Sequence, residues 1–121
     1  MSGRGTPRRT GRLSRSAEFD RVYRQGRSVA NRYLVLYTFP RGGEHAARVG
    51  LSVGRKVGGA VERNRVKRLL RAALAGPGCA LPDGVDIVVV ARSDAGELAR
   101  SEGELGISRA VQELLARTPA A

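Results

Sequence analysis

The sequence predicts a single-domain α+β fold in the order α-β-β-β-α-β-α. The chain has 121 residues, which is enough for one core and not for two. Segments with helical periodicity are interleaved with short segments of β-forming residues, which is typical of a mixed sandwich of helices and strands. We expect a disordered basic arm at residues 1–15, one domain over residues 16–117 and a short tail at residues 118–121.

The first half of the domain is predicted to be a short helix followed by antiparallel strands. Ser16 is a suitable N-cap, and Gly26 can end the helix. Residues 29–40 are β-like, and from Tyr33 onward side chains alternate between two faces, with one face carrying Tyr33, Val35, Tyr37 and Phe39 and the other Leu34, Leu36 and Thr38. A turn at residues 41–44 predicts that residues 47–53 return as the second strand of a hairpin.

The second half is predicted to be helix, strand, helix. The strongest helix covers residues 60–75 and is stopped by Gly76-Pro77-Gly78. Residues 85–91 are almost continuously apolar, as in a buried central strand. Ser101 can cap a last helix over residues 102–117, and Pro119 ends it. The apolar stripe predicted for this helix contains Leu105, Ile107, Ala110, Val111, Leu114 and Leu115.

Charge is the strongest compositional signal. The chain has 22 Lys and Arg against 11 Asp and Glu, a formal net charge of +11. All the basic residues except Lys56 and Lys67 are arginine, whose guanidinium can donate two parallel hydrogen bonds to a phosphate. A proteome biased toward arginine would explain the choice of arginine over lysine, but it would not explain the excess of base over acid. The composition therefore predicts a polyanionic partner.

The sequence also indicates a compartment. No segment approaches the roughly 20 apolar residues of a membrane span, and the basic N-terminus lacks the apolar stretch of a secretory signal. Cys79 is the only cysteine, so the chain can form no internal disulfide. We expect a cytoplasmic protein that has no role at a membrane.

The helix at residues 60–75 carries a basic face. At 100° per residue, Val66, Leu69 and Leu70 share one side of the helix. The remaining surface is basic, and we predict that it binds RNA or DNA through Arg63, Asn64, Arg65, Lys67, Arg68 and Arg71. Like charges at this spacing cost about 0.2–0.5 kcal/mol per pair, and Glu62 is the only acid in the helix. A solvated basic face is the alternative interpretation of this pattern.

These residues resemble the bacterial ribonuclease P protein component. The resemblance rests first on residues 59–71, which contain the motif Arg63-Asn64-Arg65 followed by Val66-Lys67-Arg68. The other segments occur in the matching order, and they are Phe19-x-x-Val22-Tyr23 before Gly26, Ser28-Val29-Ala30-Asn31-Arg32 before Leu36-Tyr37, Arg48 to Val53, and Asp86 to Arg92. The match extends from about Leu13 to Arg117.

The resemblance implies a fold similar to the second domain of ribosomal protein S5, and a role as the protein subunit of ribonuclease P. That enzyme removes the 5′ leader from precursor tRNA, and its catalytic Mg²⁺ ions are held by the RNA subunit. The residues implied to bind the catalytic RNA are those of the basic helix, together with Arg55 and Lys56 in the preceding loop. A cleft formed by Phe19, Tyr23 and Tyr37 is implied to bind the leader. A core role for Phe19 and Val22 is the alternative.

Sites for catalysis by the protein itself are not apparent in the sequence. His45 is the only histidine and lies in the predicted turn beside Glu44, while Asp20, Asp83, Asp86 and Asp94 have no common spacing. The sequence therefore argues against an autonomous metal-dependent nuclease. A general or ribosomal RNA-binding protein with no role in cleavage is the remaining alternative.

Overall fold

The computed structural model describes residues 11–76 and 81–118 and contains a five-stranded sheet with helices on both faces. The elements in chain order are β1 (Gly11–Arg12), α1 (Ser16–Gln25), β2 (Arg27–Ala30), β3 (Leu34–Pro40), β4 (Arg48–Val53), α2 (Ala60–Ala75), β5 (Val85–Ala91) and α3 (Ala95–Arg117). The predicted α+β class and the order α-β-β-β-α-β-α are confirmed, with the two-residue β1 added before α1.

The strand order across the sheet is β1-β4-β5-β3-β2. Strand β5 pairs in parallel with β4 and antiparallel with β3, so it separates the two strands that precede it in the chain. The predicted hairpin between residues 29–40 and 47–53 is therefore wrong. The chain does reverse between them, with a bend at residues 43–45, but the most apolar strand, β5, takes the central position and is covered on both faces. The hairpin that does form joins β2 and β3.

The sheet separates two groups of buried side chains. The larger group lies under α2 and α3 and includes Leu34, Ile87, Leu70 and Leu114. The smaller group lies under α1 and consists of Leu13, Val22 and Val88, with half-buried Phe19, Tyr37, Phe39 and Val90 packed against it. The two faces of β3 thus have different partners, which accounts for its unusual alternation of aromatic and aliphatic residues.

Residues 11–13 of the predicted arm have a fixed position. Residues 1–10 lie outside the described residues, but β1 pairs in parallel with β4, and Leu13 is buried. Leu13 is accommodated because Gly50 has no side chain, and a Cβ atom there would lie 3.1 Å from the Cβ of Leu13. The predicted disordered arm is thus wrong for residues 11–13, where edge pairing and burial of one leucine stabilise a fixed position.

Helix bounds agree with prediction at α2 and differ at α1 and α3. Helix α1 begins at Ser16 itself, with Arg15 as its N-cap. Helix α3 begins at Ala95, seven positions before the predicted start, and is broken at Gly103, where φ is 59° and ψ is −141°. Ser101 caps nothing, since its hydroxyl donates to the carbonyl of Glu97. Leu105 follows the break and is exposed, so its predicted place in the apolar stripe is wrong.

Candidate RNA interface

The N-terminus of α2 is fixed by its single acid. One carboxylate oxygen of Glu62 accepts a 2.9 Å hydrogen bond from the backbone N–H of Gly59, the N-cap. The other oxygen accepts a 2.6 Å hydrogen bond from Arg100 of α3. Glu62 therefore satisfies a backbone donor at the helix start and ties α2 to α3. It forms no ion pair with the arginines of its own helix.

The basic face of α2 is open to solvent. Val66, Leu70 and Leu74 are buried under the helix, which turns the opposite side outward. Asn64, Arg65, Arg68 and Arg71 are exposed, and Arg63 and Lys67 are half-buried. Within residues 11–76 and 81–118, no carboxylate forms an ion pair with any of the five basic residues. The buried Nε of Arg63 also has no hydrogen-bond partner.

Arg55 and Lys56 extend this basic surface before the helix. They lie in a single 3₁₀ turn, Arg55–Val57, directly after β4, and both side chains are exposed. The turn is anchored by Val57, which is buried in the larger core. The chain then reverses through Gly58 at φ 156°, where any Cβ atom would lie 2.4 Å from a carboxylate oxygen of Glu62. The structure thus holds these two cations next to the start of α2.

The three aromatic residues predicted to form a cleft come together on the other face of the sheet. The rings of Tyr23 and Tyr37 are 5.0 Å apart between centroids in an edge-to-face arrangement, and Phe19 is 6.4 Å from Tyr23. Tyr23 is exposed, while Phe19 and Tyr37 are half-buried. Phe19 approaches the sheet closely because Gly50 lies beneath its ring, and a Cβ atom there would be 2.5 Å from Cζ of Phe19. Val22 is fully buried, as the core interpretation expects.

The sheet surface beside these three rings continues beyond α1. Val35 and Val90 are adjacent across β3 and β5, and Ser52 is opposite Val90 on β4. These three side chains are half-buried, and they form a row across the sheet two positions along β3 from Tyr37. The predicted cleft therefore comprises three aromatic rings beside a row of half-buried side chains, on the side of the sheet away from α2. Tyr33 is separate, since it packs against the larger core and lies 5.8 Å from the guanidinium of Arg32.

A buried carboxylate with several arginine partners lies next to the cleft, and sequence analysis missed it. Asp86 has no exposed surface and accepts hydrogen bonds of 2.9 and 2.8 Å from Nε and Nη2 of Arg48. Arg41 also donates to it, and Arg21 of α1 lies 3.6 Å away with its guanidinium over the ring of Phe39. The partners come from three separate segments, so no local spacing signals the group.

Electrostatics in this group favour the ionised carboxylate. Burial raises the pKa of Asp86, but the hydrogen bonds and charges of Arg48 and Arg41 outweigh burial, and the net pKa is lowered. Arg48 also donates a 2.8 Å hydrogen bond to Glu18 of α1. The network therefore links α1 to β4 and β5 and sets the position of the helix that carries Phe19 and Tyr23.

The remaining candidate groups are dispersed. His45 is exposed in the loop before β4, and Cys79 lies outside the described residues. In the part of the chain that the structure describes, no three His, Cys, Asp or Glu side chains are placed to hold a metal ion. None of the described helices combines the length and the apolar character of a membrane span.

Comparison with known proteins identifies similar chains. A family model described as ribonuclease P matches residues 8–117. The ribonuclease P protein component of Halalkalibacterium halodurans is 47% identical over 87 residues, covering 72% of this chain and 73% of that protein. The component from Caldanaerobacter subterraneus is 40% identical over 108 residues, covering 89% of each.

Solved structures agree with the sequence matches. The ribonuclease P protein of Staphylococcus aureus has a TM-score of 0.77 at 34% identity, with 90% of this chain and 95% of that chain covered. The protein from Thermotoga maritima has a TM-score of 0.79 at 29% identity, with 90% and 98% covered.

Proposed function

Because this chain belongs to the ribonuclease P protein family, we propose that it binds the catalytic RNA through α2 and the 5′ leader of precursor tRNA through its aromatic cleft. It is the protein subunit of a ribonucleoprotein endonuclease that acts in tRNA 5′ maturation. The Mg²⁺ ions that perform the cleavage are held by the RNA subunit. The particle acts in the cytoplasm.

The main support for the proposal is that the basic residues of α2 form no ion pair with any described carboxylate. A folded protein normally places acids among arginines at helical spacing, because like charges repel. Here Glu62 is directed to Gly59 and Arg100 instead. Phosphates of a bound RNA would replace the missing acids, and release of condensed counterions would drive the association. Arg55 and Lys56 belong to the same surface by position.

The cleft is suited to an unpaired strand of variable sequence. Every base has an aromatic face, so stacking on Tyr23, Tyr37 and the accessible part of Phe19 would contribute about 1–3 kcal/mol per base with little sequence preference. Leaders differ from one precursor tRNA to another, and stacking tolerates that difference. The cleft and α2 are on opposite faces of the sheet, so one chain can hold the catalytic RNA and the leader at once.

Reconstitution tests the proposal. The full chain is combined with the RNA subunit from the same organism, and cleavage of a precursor tRNA is followed at low Mg²⁺, where the RNA alone is slow. We expect the protein to accelerate cleavage. Unchanged cleavage would contradict the proposal and favour a general RNA-binding role. The protein without RNA is the control for contaminating nuclease.

A variant at Tyr37 tests the cleft separately from the basic face. Tyr37→Ala removes one stacking surface and should weaken binding of precursor tRNA to the particle about 5- to 150-fold, with little effect on mature tRNA. Tyr37→Phe should retain the preference. Tyr33→Ala removes a ring outside the cleft and is the matched control. Equal losses for precursor and mature tRNA in Tyr37→Ala would assign that ring to the core.

A further inference from the structure

The pairing of β1 places Arg12 on the same side of the sheet as α2. In the parallel register Arg12 is the partner of Val49, whose side chain belongs to the core beneath α2 and α3. The next residue, Leu13, is buried on the opposite face beside Val22. Because side chains alternate along a strand, these two observations agree on the direction of Arg12.

The backbone around Arg12 is fixed at both sides. The N–H of Gly11 donates to the carbonyl of Ala47 at 2.8 Å, and the N–H of Leu13 donates to the carbonyl of Val49 at 3.0 Å. Arg12 is thus held on a strand and not on a free arm. A side chain presented from a strand loses less conformational freedom on binding than one on a disordered segment.

Arg12 and Arg71 lie within electrostatic range of each other. Partial burial lowers the pKa of Arg71, and the positive charge of Arg12 lowers it further. Among the described carboxylates, none forms an ion pair with either arginine. Two neighbouring cations without a counter-ion are unfavourable in the free protein, and an anion between them would remove that cost.

We propose that Arg12 and Arg71 together bind one phosphate of the RNA subunit, so that the RNA-binding surface of α2 continues onto the N-terminal strand. The inference rests on the proposed function, in which α2 binds that RNA. Two guanidinium groups can each donate to separate oxygens of a phosphate. The shared phosphate also gives a function to residues 11–13 of the predicted arm, which pair with β4.

Salt-dependent affinity tests the proposal. Affinity of the full chain for the RNA subunit is measured by filter binding from 0.05 to 0.5 M salt for wild type, Arg12→Ala, Arg71→Ala and the double variant. One phosphate contact changes the salt slope by about 0.7–0.9, which corresponds to about a five- to eightfold loss at 0.1 M salt. We expect that loss for each single variant, and little further loss in the double variant.

Matched controls separate this inference from the proposed function. Arg109→Ala removes one exposed charge from α3 and should leave the salt slope unchanged. Arg12→Gln keeps a long polar side chain but removes the charge, so it should lower the salt slope as much as Arg12→Ala does. An unchanged slope for both Arg12 variants, or losses that multiply in the double variant, would overturn the shared phosphate. If Arg65→Ala also leaves the slope unchanged, the proposed function itself is wrong.

Discussion

Asp86→Asn should strongly destabilise the protein. The substitution keeps the shape of the side chain but removes its charge, which leaves Arg48 and Arg41 without their main counter-ion. Asp86 has no exposed surface, while Arg48 and Arg41 are 27% and 19% exposed. Removing one partner from a buried ion pair costs about 3–5 kcal/mol, because the remaining charge stays desolvated.

This cost is large relative to the stability of a small domain. Total free energies of unfolding are about 5–15 kcal/mol, so the variant would lose at least about a fifth of its free energy of unfolding. For a chain of this size the expected decrease in Tm is on the order of 10–20 °C. The position of α1 should be affected too, because Arg48 links Asp86 to Glu18.

Urea unfolding followed by far-UV circular dichroism measures the effect. Asp94→Asn is the matched control, since Asp94 pairs with Arg32 at 2.8 Å but the two side chains are 48% and 75% exposed. An exposed pair contributes about 0–1 kcal/mol, so the control should unfold close to wild type. Equal unfolding midpoints for the two variants would refute the assignment of Asp86 as a buried, charge-compensated group.

Three further predictions concern Asp86 in acid, the basic face of α2 and the contact of Gly50 with Phe19. The pKa of Asp86 is lowered in the folded state. Its ionised carboxylate therefore stabilises the fold above the pKa of about 3.9 that it has in the unfolded chain, and this stabilisation is lost as pH falls below about 4. The stability difference between wild type and Asp86→Asn should therefore narrow in acid, and a constant difference from pH 7 to 3 would contradict this. Arg65→Ala should lower the salt slope of RNA binding by about 0.7–0.9, whereas an unchanged slope would contradict RNA binding through α2. Gly50→Ala should displace the Phe19 ring, cost about 1–3 kcal/mol of stability and weaken precursor binding, whereas Gly54→Ala, with open space around it, should not.

Local sequence patterns were sufficient to predict the bounds of α2. Its apolar stripe has an unbroken helical period, and glycines flank both ends, so residues 60–75 were predicted with the bounds observed. The same period predicted which side would face solvent. The grouping of Phe19, Tyr23 and Tyr37 was implied by the resemblance and not by local periodicity. Their rings do lie close together, and their binding of the leader stays a prediction.

Features that depend on contacts between residues far apart in the chain could not be predicted from local sequence patterns. Strand β5 pairs with both β3 and β4, although it follows them by more than 30 residues, and sequential adjacency favoured a hairpin instead. Helix α3 was predicted too short because Gly96, Gly103 and Gly106 interrupt the helical pattern. The role of Asp86 depends on arginines brought together by that same topology.

The central claim is that this chain, in its particle, recognises the leader of precursor tRNA. The most direct measurement compares the affinities of the reconstituted particle for a precursor tRNA and for the mature tRNA made from it, at one salt and Mg²⁺ concentration. We predict that the particle binds the precursor more tightly than the mature tRNA. For the RNA subunit alone, the difference between these two affinities should be smaller. Identical precursor-to-mature affinity ratios with and without the protein would contradict it.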